Sequence, residues 1–123
     1  MSEKILIVDD EKDFRELISE ILKGAGYEVA MAVDGGDALQ KLREFAPDAV
    51  VLDVNMPVKN GFEVCREIRA DPLYGKIPVV FLTVRSEKNS ILKGMDIGSD
   101  EYITKPFRPK EFVLRIKNIL GRK

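Results

Sequence analysis

The amino-acid sequence predicts an α/β domain, (βα)5, with a doubly wound, parallel five-stranded sheet. Short apolar runs rich in Val and Ile alternate along the chain with segments of helical periodicity. Right-handed crossovers between parallel strands place the intervening helices on both faces of such a sheet. Among doubly wound strand orders, 2-1-3-4-5 suits five strands best.

Five apolar runs predict the strands. They cover residues 5–8, 29–33, 49–52, 79–82 and the weaker 102–103. Most are apolar throughout instead of alternating with polar residues, so we expect both faces of the sheet to be covered.

The first helix is predicted by apolar residues at the i, i+3, i+4, i+7 and i+8 positions of one face. These residues are Phe14, Leu17, Ile18, Ile21 and Leu22. We expect Asp13, which precedes them, to be the N-cap, and Gly24 and Gly26 to end the helix.

Four further helices follow the later strands. We expect Asp34 to cap the second, Gly61 to open the third, Gly98 to end the fourth and Pro109 to lie in the first turn of the fifth. Their apolar positions are Ala38, Leu39 and Leu42, then Phe62, Cys65 and Ile68, then Ile91, Leu92 and Met95, and finally Phe112, Val113, Ile116, Ile119 and Leu120.

Length and composition limit the class of function. With 123 residues we expect one domain spanning residues 1–123, either complete or the N-terminal part of a longer protein. The absence of histidine excludes Ser-His-Asp and Cys-His nucleophile pairs and His-ligated zinc within this chain. The net charge of −1 argues against direct nucleic-acid binding, although residues 105–123 are strongly basic.

The sequence offers no membrane segment. The longest uncharged stretch, residues 77–84, is far too short to span a bilayer, and the charged N-terminus is not a signal peptide. We therefore expect a cytoplasmic protein without a membrane partner.

Polar side chains follow four of the predicted strands. Asp9 and Asp10 follow the first, Asp53 the third, Thr83 the fourth and Lys105 the fifth. Ligands of doubly wound sheets bind at the carboxyl ends of the strands, where the strand order reverses, so we expect these groups to converge. Each alone has a structural explanation, such as helix capping by a strand-end aspartate. The combination favours a functional site.

Convergence of three carboxylates is costly, at roughly 1–4 kcal/mol for each close like-charged pair. Either Lys105 or a divalent cation would offset that cost. Oxygen ligands without histidine or thiolate favour a hard ion such as Mg²⁺. A carboxylate can also attack phosphorus to form an acyl phosphate, and Asp53 is the central candidate because its strand lies between the first and the fourth.

Four segments resemble the receiver domain of two-component response regulators, of the chemotaxis-regulator type, and the resemblance covers essentially the whole chain. The segments are Ile-Leu-Ile-Val-Asp-Asp-Glu at 5–11, Val-Leu-Asp-Val-Asn-Met-Pro at 51–57 followed by Gly61, Phe-Leu-Thr at 81–83, and Tyr-Ile-Thr-Lys-Pro-Phe at 102–107. The resemblance implies a flavodoxin-like receiver fold. It also implies that Asp53 accepts a phosphoryl group from a histidine kinase or a histidine phosphotransfer protein.

The same resemblance implies a metal site. Asp10, Asp53 and the backbone carbonyl of Asn55 would ligate Mg²⁺, for which Mn²⁺ could substitute, and Asp9 would contribute through water. Few protein ligands together with several waters are typical of Mg²⁺.

A switch is implied by further matching residues. Lys105 would pair with the phosphoryl group, Thr83 would move toward it, and the ring of Tyr102 would follow Thr83. The peptide bond between Lys105 and Pro106 would be cis. A phosphate adds roughly two negative charges, which would bias the face made by the fourth helix, fifth strand and fifth helix.

That face would signal to an output domain or a downstream protein. The end of the chain is similar to the branch whose members carry winged-helix DNA-binding domains and dimerise on phosphorylation. The charge pairs of such a homodimer would be Asp96 with Lys117 and Glu101 with Arg115, while Ile91 stands where a third pair needs a basic residue.

Two alternatives to this regulatory phospho-acceptor stay open at this point. One is a small phosphatase or phosphotransferase that works through an aspartyl phosphate, although such enzymes carry a second acid where this chain has Asn55. The other is a receiver-like interaction module that is never phosphorylated. In the leading interpretation the chain is not an enzyme, but assists its own phosphorylation and dephosphorylation.

Overall fold

The computed structural model describes residues 3–54, 56, 59–84 and 101–121. The strands in that part are β1 (Lys4–Val8), β2 (Glu28–Ala32), β3 (Ala49–Asp53), β4 (Val79–Val84) and β5 (Glu101–Lys105). The helices are α1 (Lys12–Gly24), α2 (Gly35–Phe45), α3 (Gly61–Arg69) and α4 (Pro109–Gly121). The helix numbered α4 is the fifth helix of the sequence prediction. The predicted fourth helix, with Ile91, Leu92 and Met95, lies outside the described residues.

All five strands are parallel, in the order β2-β1-β3-β4-β5, which confirms the predicted fold class. Leu6 of β1 pairs with Val50 of β3, and Asp53 of β3 pairs with Leu82 of β4. Because the strands run in one direction, the carboxyl ends of β1, β3, β4 and β5 meet at one edge of the sheet.

The sheet separates two apolar layers. Leu6 and Val8 of β1 face the layer on the side of α2 and α3, whereas Ile5 and Ile7 face the layer formed with α1 and α4. All four side chains are at most 1% exposed. Burial of one such side chain contributes roughly 1.5–3 kcal/mol, which explains why the strands carry uninterrupted apolar runs.

The start of α1 differs from the sequence prediction. The helix begins at Lys12 and its N-cap position is Glu11, which makes no side-chain capping hydrogen bond, so the assignment of Asp13 as the cap is wrong. The backbone N–H of Glu11 instead donates to Asp9 Oδ1 at 2.8 Å, which lets the helix begin earlier. Asp13 lies in the first turn, where its negative charge interacts favourably with the helix dipole.

Leu17 is also an exception, because it is 49% exposed and does not belong to the buried face of α1. The predicted apolar stripe is wider than the surface that the sheet and α4 cover. Ile18 and Leu22 are fully buried, while Phe14 and Ile21 lie at the margin of the layer.

The other helix boundaries follow local chemistry. Asp34 caps α2 by accepting a hydrogen bond from the backbone N–H of Asp37 at 2.8 Å, as predicted. Asn60 and Glu63 form a reciprocal capping box at the start of α3, which opens at Gly61 as predicted. α1 ends at Gly24, and Gly26 follows with φ of 98°, in the left-handed region that favours glycine.

Cys65 on α3 is fully buried, as predicted for a core residue. The predicted buried face of the last helix is confirmed at four of five positions, Val113 being half-buried. None of the helices that the structure describes is long and apolar enough to cross a membrane.

Gly61 is a point of close approach between α3 and the end of β3. Its backbone N–H donates to the carbonyl of Val54 at 3.1 Å. A Cβ atom at this position would lie 2.5 Å from the carbonyl oxygen of Asp53 and 3.0 Å from Val54 Cα. Both contacts are to backbone atoms held by the sheet, so a side chain at position 61 would displace the segment that carries Asp53.

We predict that Gly61→Ala lowers the free energy of unfolding by about 1–3 kcal/mol, because the added methyl group overpacks against rigid backbone. The measurement is urea unfolding followed by circular dichroism. Gly24→Ala is the matched control, since a Cβ there meets no atom within 4 Å, and it should be neutral or stabilising by up to about 1 kcal/mol. Equal stability of Gly61→Ala and the unsubstituted protein would contradict the steric argument.

Candidate functional site

Three carboxylates converge at the carboxyl edge of the sheet. Asp9 and Asp10 follow β1, and Asp53 is the last residue of β3. One carboxylate oxygen from each lies within 4.8 Å of the other two. Asp9 is 1% exposed and Asp53 is 5% exposed, whereas Asp10 faces solvent. The predicted convergence is therefore present in the structure, and two of the three charges are buried.

Asp9 is held by hydrogen bonds on three of its groups. Its backbone N–H donates to the carbonyl of Ala32 at 3.2 Å, its carbonyl accepts from Arg15 Nη1 at 2.8 Å, and its Oδ1 accepts from Glu11 N–H. The remaining oxygen, Oδ2, is buried and accepts no hydrogen bond from the part of the chain that the structure describes. The ammonium of Lys105 lies 4.0 Å away, beyond hydrogen-bond distance, so this oxygen can still accept a closer cationic partner.

Burial raises the pKa of Asp9 above its ordinary value. The negative charge of Asp10 adds to that rise, while the Glu11 N–H and the charge of Lys105 oppose it. The ionised form of this carboxylate is therefore costly in the isolated domain.

Lys105 brings a positive charge to the cluster from β5. Its Nζ lies 3.6 Å from Asp53 Oδ1 and 4.0 Å from Asp9 Oδ2. β5 is separated from β3 by β4, about two strand spacings of roughly 4.8 Å, so only a long side chain can reach Asp53. Lys105 offsets part of the repulsion among the carboxylates, but it brings one positive charge against the three negative charges of the cluster.

The other predicted site residues lie on neighbouring strands. Thr83 is fully buried in β4, one position beyond the residue that pairs with Asp53. Tyr102 is half-buried on β5, where its ring lies 5.6 Å from that of Phe81 in an edge-on arrangement. The peptide bond between Lys105 and Pro106 is cis. Asn55, the remaining predicted metal ligand, lies outside the described residues.

Two neighbours of the site were not singled out for function by the sequence analysis. Phe14, predicted only as a core residue, places its ring 4.0 Å from Lys105 Nζ. Arg15 donates to the carbonyl of Asp9. The sequence did contain a signal for both residues. They lie in the first turn of the helix that follows Asp9 and Asp10, and that turn lies beside the carboxyl end of β1.

The cluster has the chemistry of a site for a hard divalent cation. Its donors are carboxylate oxygens, without thiolate or imidazole, as Mg²⁺ and similar ions prefer. Asp9 Oδ2 is a buried acceptor without a hydrogen bond in the described residues, and the cluster carries more negative charge than Lys105 neutralises. A cation bound there would pair with Asp9 Oδ2 and would neutralise the excess negative charge of the cluster.

Comparison with known protein families gives one match that covers most of the chain. Residues 5–117 match the model of the response regulator receiver domain. The DNA-binding response regulator MtrA of Mycolicibacterium smegmatis is 40% identical over 122 residues, which are 99% of this chain and 52% of that protein. The alkaline phosphatase synthesis transcriptional regulatory protein PhoP of Bacillus subtilis is 42% identical over 99% of this chain and 50% of its own length. This chain thus spans about half the length of these curated relatives.

Solved structures give the same result. The chemotaxis protein CheY4 of Vibrio cholerae superposes with a TM-score of 0.91 at 34% identity, covering 97% of this chain and 99% of that one. The receiver domain of NtrX from Brucella abortus superposes with a TM-score of 0.90 at 29% identity, with the same coverage.

We predict that Asp10→Asn raises the free energy of unfolding by about 1 kcal/mol at low ionic strength in the presence of a chelator, because it removes one of three mutually repelling charges. Thermal unfolding with and without MgCl₂ is the measurement. Added Mg²⁺ should stabilise the unsubstituted protein more than the variant, because the variant has lost one ligand.

Asp13→Asn is the control for this experiment. Asp13 is exposed in the first turn of α1 and is not part of the acidic cluster, so its loss should be neutral or slightly destabilising. A variant Asp10→Asn that is less stable than the unsubstituted protein in chelator would overturn the repulsion argument.

Proposed function

The chain belongs to the family of response regulator receiver domains, and from that premise we propose that Asp53 accepts a phosphoryl group in a Mg²⁺-dependent reaction. Members of this family are phosphorylated by histidine kinases in two-component signalling. The donor for this chain would be a phosphohistidine on such a kinase or on a histidine phosphotransfer protein. The observation that carries the proposal is the placement of Lys105 Nζ 3.6 Å from Asp53 Oδ1 within a carboxylate cluster.

Asp53 has the position expected of the nucleophile. It is the last residue of the central strand, and its side chain is 7% exposed at the edge where a donor can approach. A carboxylate oxygen of Asp53 would attack phosphorus as the phosphorus–nitrogen bond to the donor imidazole breaks. The imidazole would leave with the bonding electron pair and take up a proton, and the product would be an acyl phosphate on Asp53.

Charge neutralisation is the main task of the surrounding residues, since phosphoryl transfer depends chiefly on positioning and electrostatics. Lys105 would pair with one phosphoryl oxygen. Asp10, Asp53 and the backbone carbonyl of Asn55 would ligate Mg²⁺, with Mn²⁺ as a substitute, and Asp9 would contribute through water. When bound, the ion would neutralise negative charge on the phosphoryl oxygens.

Phosphorylation of Asp53 would change the conformation of the face that contains β5 and α4. The new phosphate oxygens would accept hydrogen bonds from Thr83 and from Lys105, and Tyr102 would respond to the shift of Thr83. The carbonyl of Tyr102 accepts a hydrogen bond from Arg115 Nη1 at 3.1 Å, which supports coupling between β5 and α4.

In the longer protein that the length of its relatives suggests, this domain would control an output domain or a downstream protein. The name of the relative MtrA specifies DNA binding, so we propose a DNA-binding output, with no direct contact between nucleic acid and this domain. The chain would act as a regulatory phospho-acceptor, not as an enzyme. Residue 55 is asparagine, whereas aspartyl-phosphate phosphatases need a second acid there, which supports this assignment. The complete set of site residues argues against an unphosphorylated interaction module.

We predict that incubation with Mg²⁺ and acetyl phosphate adds one phosphoryl group to the protein, and that Asp53→Asn abolishes the addition. The adduct should be stable in acid and labile in base, as expected for an acyl phosphate. Intact mass spectrometry with peptide mapping is the measurement. Omission of Mg²⁺ should reduce the yield strongly.

Asp13→Asn is the matched control for acceptor loss, because it removes an exposed carboxylate outside the cluster and should be phosphorylated normally. An undiminished mass gain in Asp53→Asn would refute the assignment of the acceptor. Sustained turnover of many unrelated phosphoesters would instead favour the phosphatase alternative.

A second prediction concerns assembly. We propose that phosphorylation drives a homodimer through the face that contains β5 and α4, with Lys117 opposite Asp96 and Arg115 opposite Glu101. Arg115 Nη2 lies 3.2 Å from Glu111 within the monomer, so dimerisation would require it to exchange partners.

A phosphoryl mimic should increase the sedimentation coefficient. Lys117→Glu should prevent the increase and Lys110→Glu, earlier on the same helix, should not. A species that stays monomeric at high concentration with the mimic would contradict the dimer.

A further inference from the structure

The Nζ atom of Lys105 lies against an aromatic column. It is 4.0 Å from the centroid of the Phe14 ring. That ring meets Phe107 edge-on, with centroids 6.0 Å apart and an interplanar angle of 67°, and Phe107 stacks on Phe112 at 4.9 Å and 22°. This aromatic column of Phe14, Phe107 and Phe112 connects three parts of the fold: helix α1, the segment that follows β5, and helix α4.

We propose that Phe14 is a positioning residue that holds the ammonium group of Lys105 beside Asp53. The proposal rests on the proposed function, because it concerns the same lysine and the same phosphoryl transfer. Phe14 does not touch the reacting atoms itself.

The ion pairs alone do not fix the position of the ammonium. Its distances of 3.6 Å to Asp53 and 4.0 Å to Asp9 exceed the roughly 2.7–2.9 Å of a charge-assisted hydrogen bond. Lysine also has a flexible four-carbon side chain, and this one is 24% exposed, so it has room to move into solvent. The ring of Phe14 supplies a third attractive surface, well within the roughly 6 Å over which a cation is drawn to an aromatic face.

A ring suits this role better than another carboxylate would. It attracts the ammonium without accepting a hydrogen bond, so all three N–H donors stay available for Asp53, Asp9 and a phosphoryl oxygen. It also adds no negative charge beside an incoming phosphoryl group.

The orientation of the Phe14 ring is itself determined by packing. Phe107 makes an edge-on contact with it, and Phe107 is in turn stacked on Phe112, which is fully buried in the layer between the sheet and α4. The position of the lysine is thus tied to the core by consecutive ring contacts.

The test compares two variants of the full chain that differ in the ring. Phe14→Leu keeps an apolar side chain but removes the aromatic face, whereas Phe14→Tyr keeps it. With Mg²⁺ and acetyl phosphate, we expect the phosphorylation rate to fall about three- to tenfold in Phe14→Leu and to recover in Phe14→Tyr. Leu17→Ala, one turn later on α1 and half exposed, is the control and should react at the unsubstituted rate.

A second readout reports the contact directly. In protein labelled with ¹³C-lysine, the ε-methylene protons of Lys105, assigned by their loss in Lys105→Arg, should be shifted upfield by the ring current of Phe14. The shift should persist in Phe14→Tyr and in Leu17→Ala and vanish in Phe14→Leu. This pattern establishes the contact between ring and lysine, and the difference in phosphorylation rate between the Leu and Tyr variants then distinguishes a positioning role from packing alone.

The outcomes separate this proposal from the proposed function. Absence of phosphorylation in the unsubstituted protein would refute the proposed function, while the lysine shift would still test the position of the ammonium. An ordinary lysine shift in the unsubstituted protein would overturn the positioning role. So would equal phosphorylation rates in the Leu and Tyr variants, whether both are normal or both are slow.

Discussion

Mutual repulsion among Asp9, Asp10 and Asp53 is the constraint on which the organisation of this domain depends. A parallel sheet brings the carboxyl ends of its strands to one edge, and here that edge collects three anions, two of them buried. The apolar layers on both faces of the sheet stabilise the fold against this cost. The Asp9 hydrogen bonds, the reach of Lys105 from β5 and the close approach of Gly61 to the end of β3 all serve to hold the charged edge in one arrangement. A site with unbalanced charge is responsive to the arrival of a cation or a phosphoryl group, which is the property a switch requires.

Much of this arrangement follows from local patterns in the sequence. The strands were predictable because strands buried on both faces carry uninterrupted apolar runs, and the convergence of Asp53 with Asp9 followed from the parallel order. The capping role of Asp34 rested on a side chain that bonds within its own turn. The capping box of Asn60 and Glu63 was not predicted, although its two residues stand three apart at the start of the helix that Gly61 was expected to open.

The features that the sequence did not reveal depend on tertiary geometry. Leu17 fits the periodicity of a buried face, but periodicity does not show how far the neighbouring elements extend over that face. The helix start was misplaced because an oxygen of Asp9, a residue before the helix, takes up the N–H of Glu11. The contact between Phe14 and Lys105 joins the first helix to the last strand, and no spacing rule connects residues so distant in sequence.

The burial of Cys65 has a practical consequence. It is the only cysteine in the chain, and its side chain lies wholly inside the layer beneath α2 and α3. A maleimide dye or spin label would therefore find no accessible native thiol on the folded domain. One cysteine introduced on the exposed surface of α4 would become the sole reactive position, without first removing the native residue and leaving a gap in the core. Such a variant would carry a single spectroscopic probe without background labelling at Cys65.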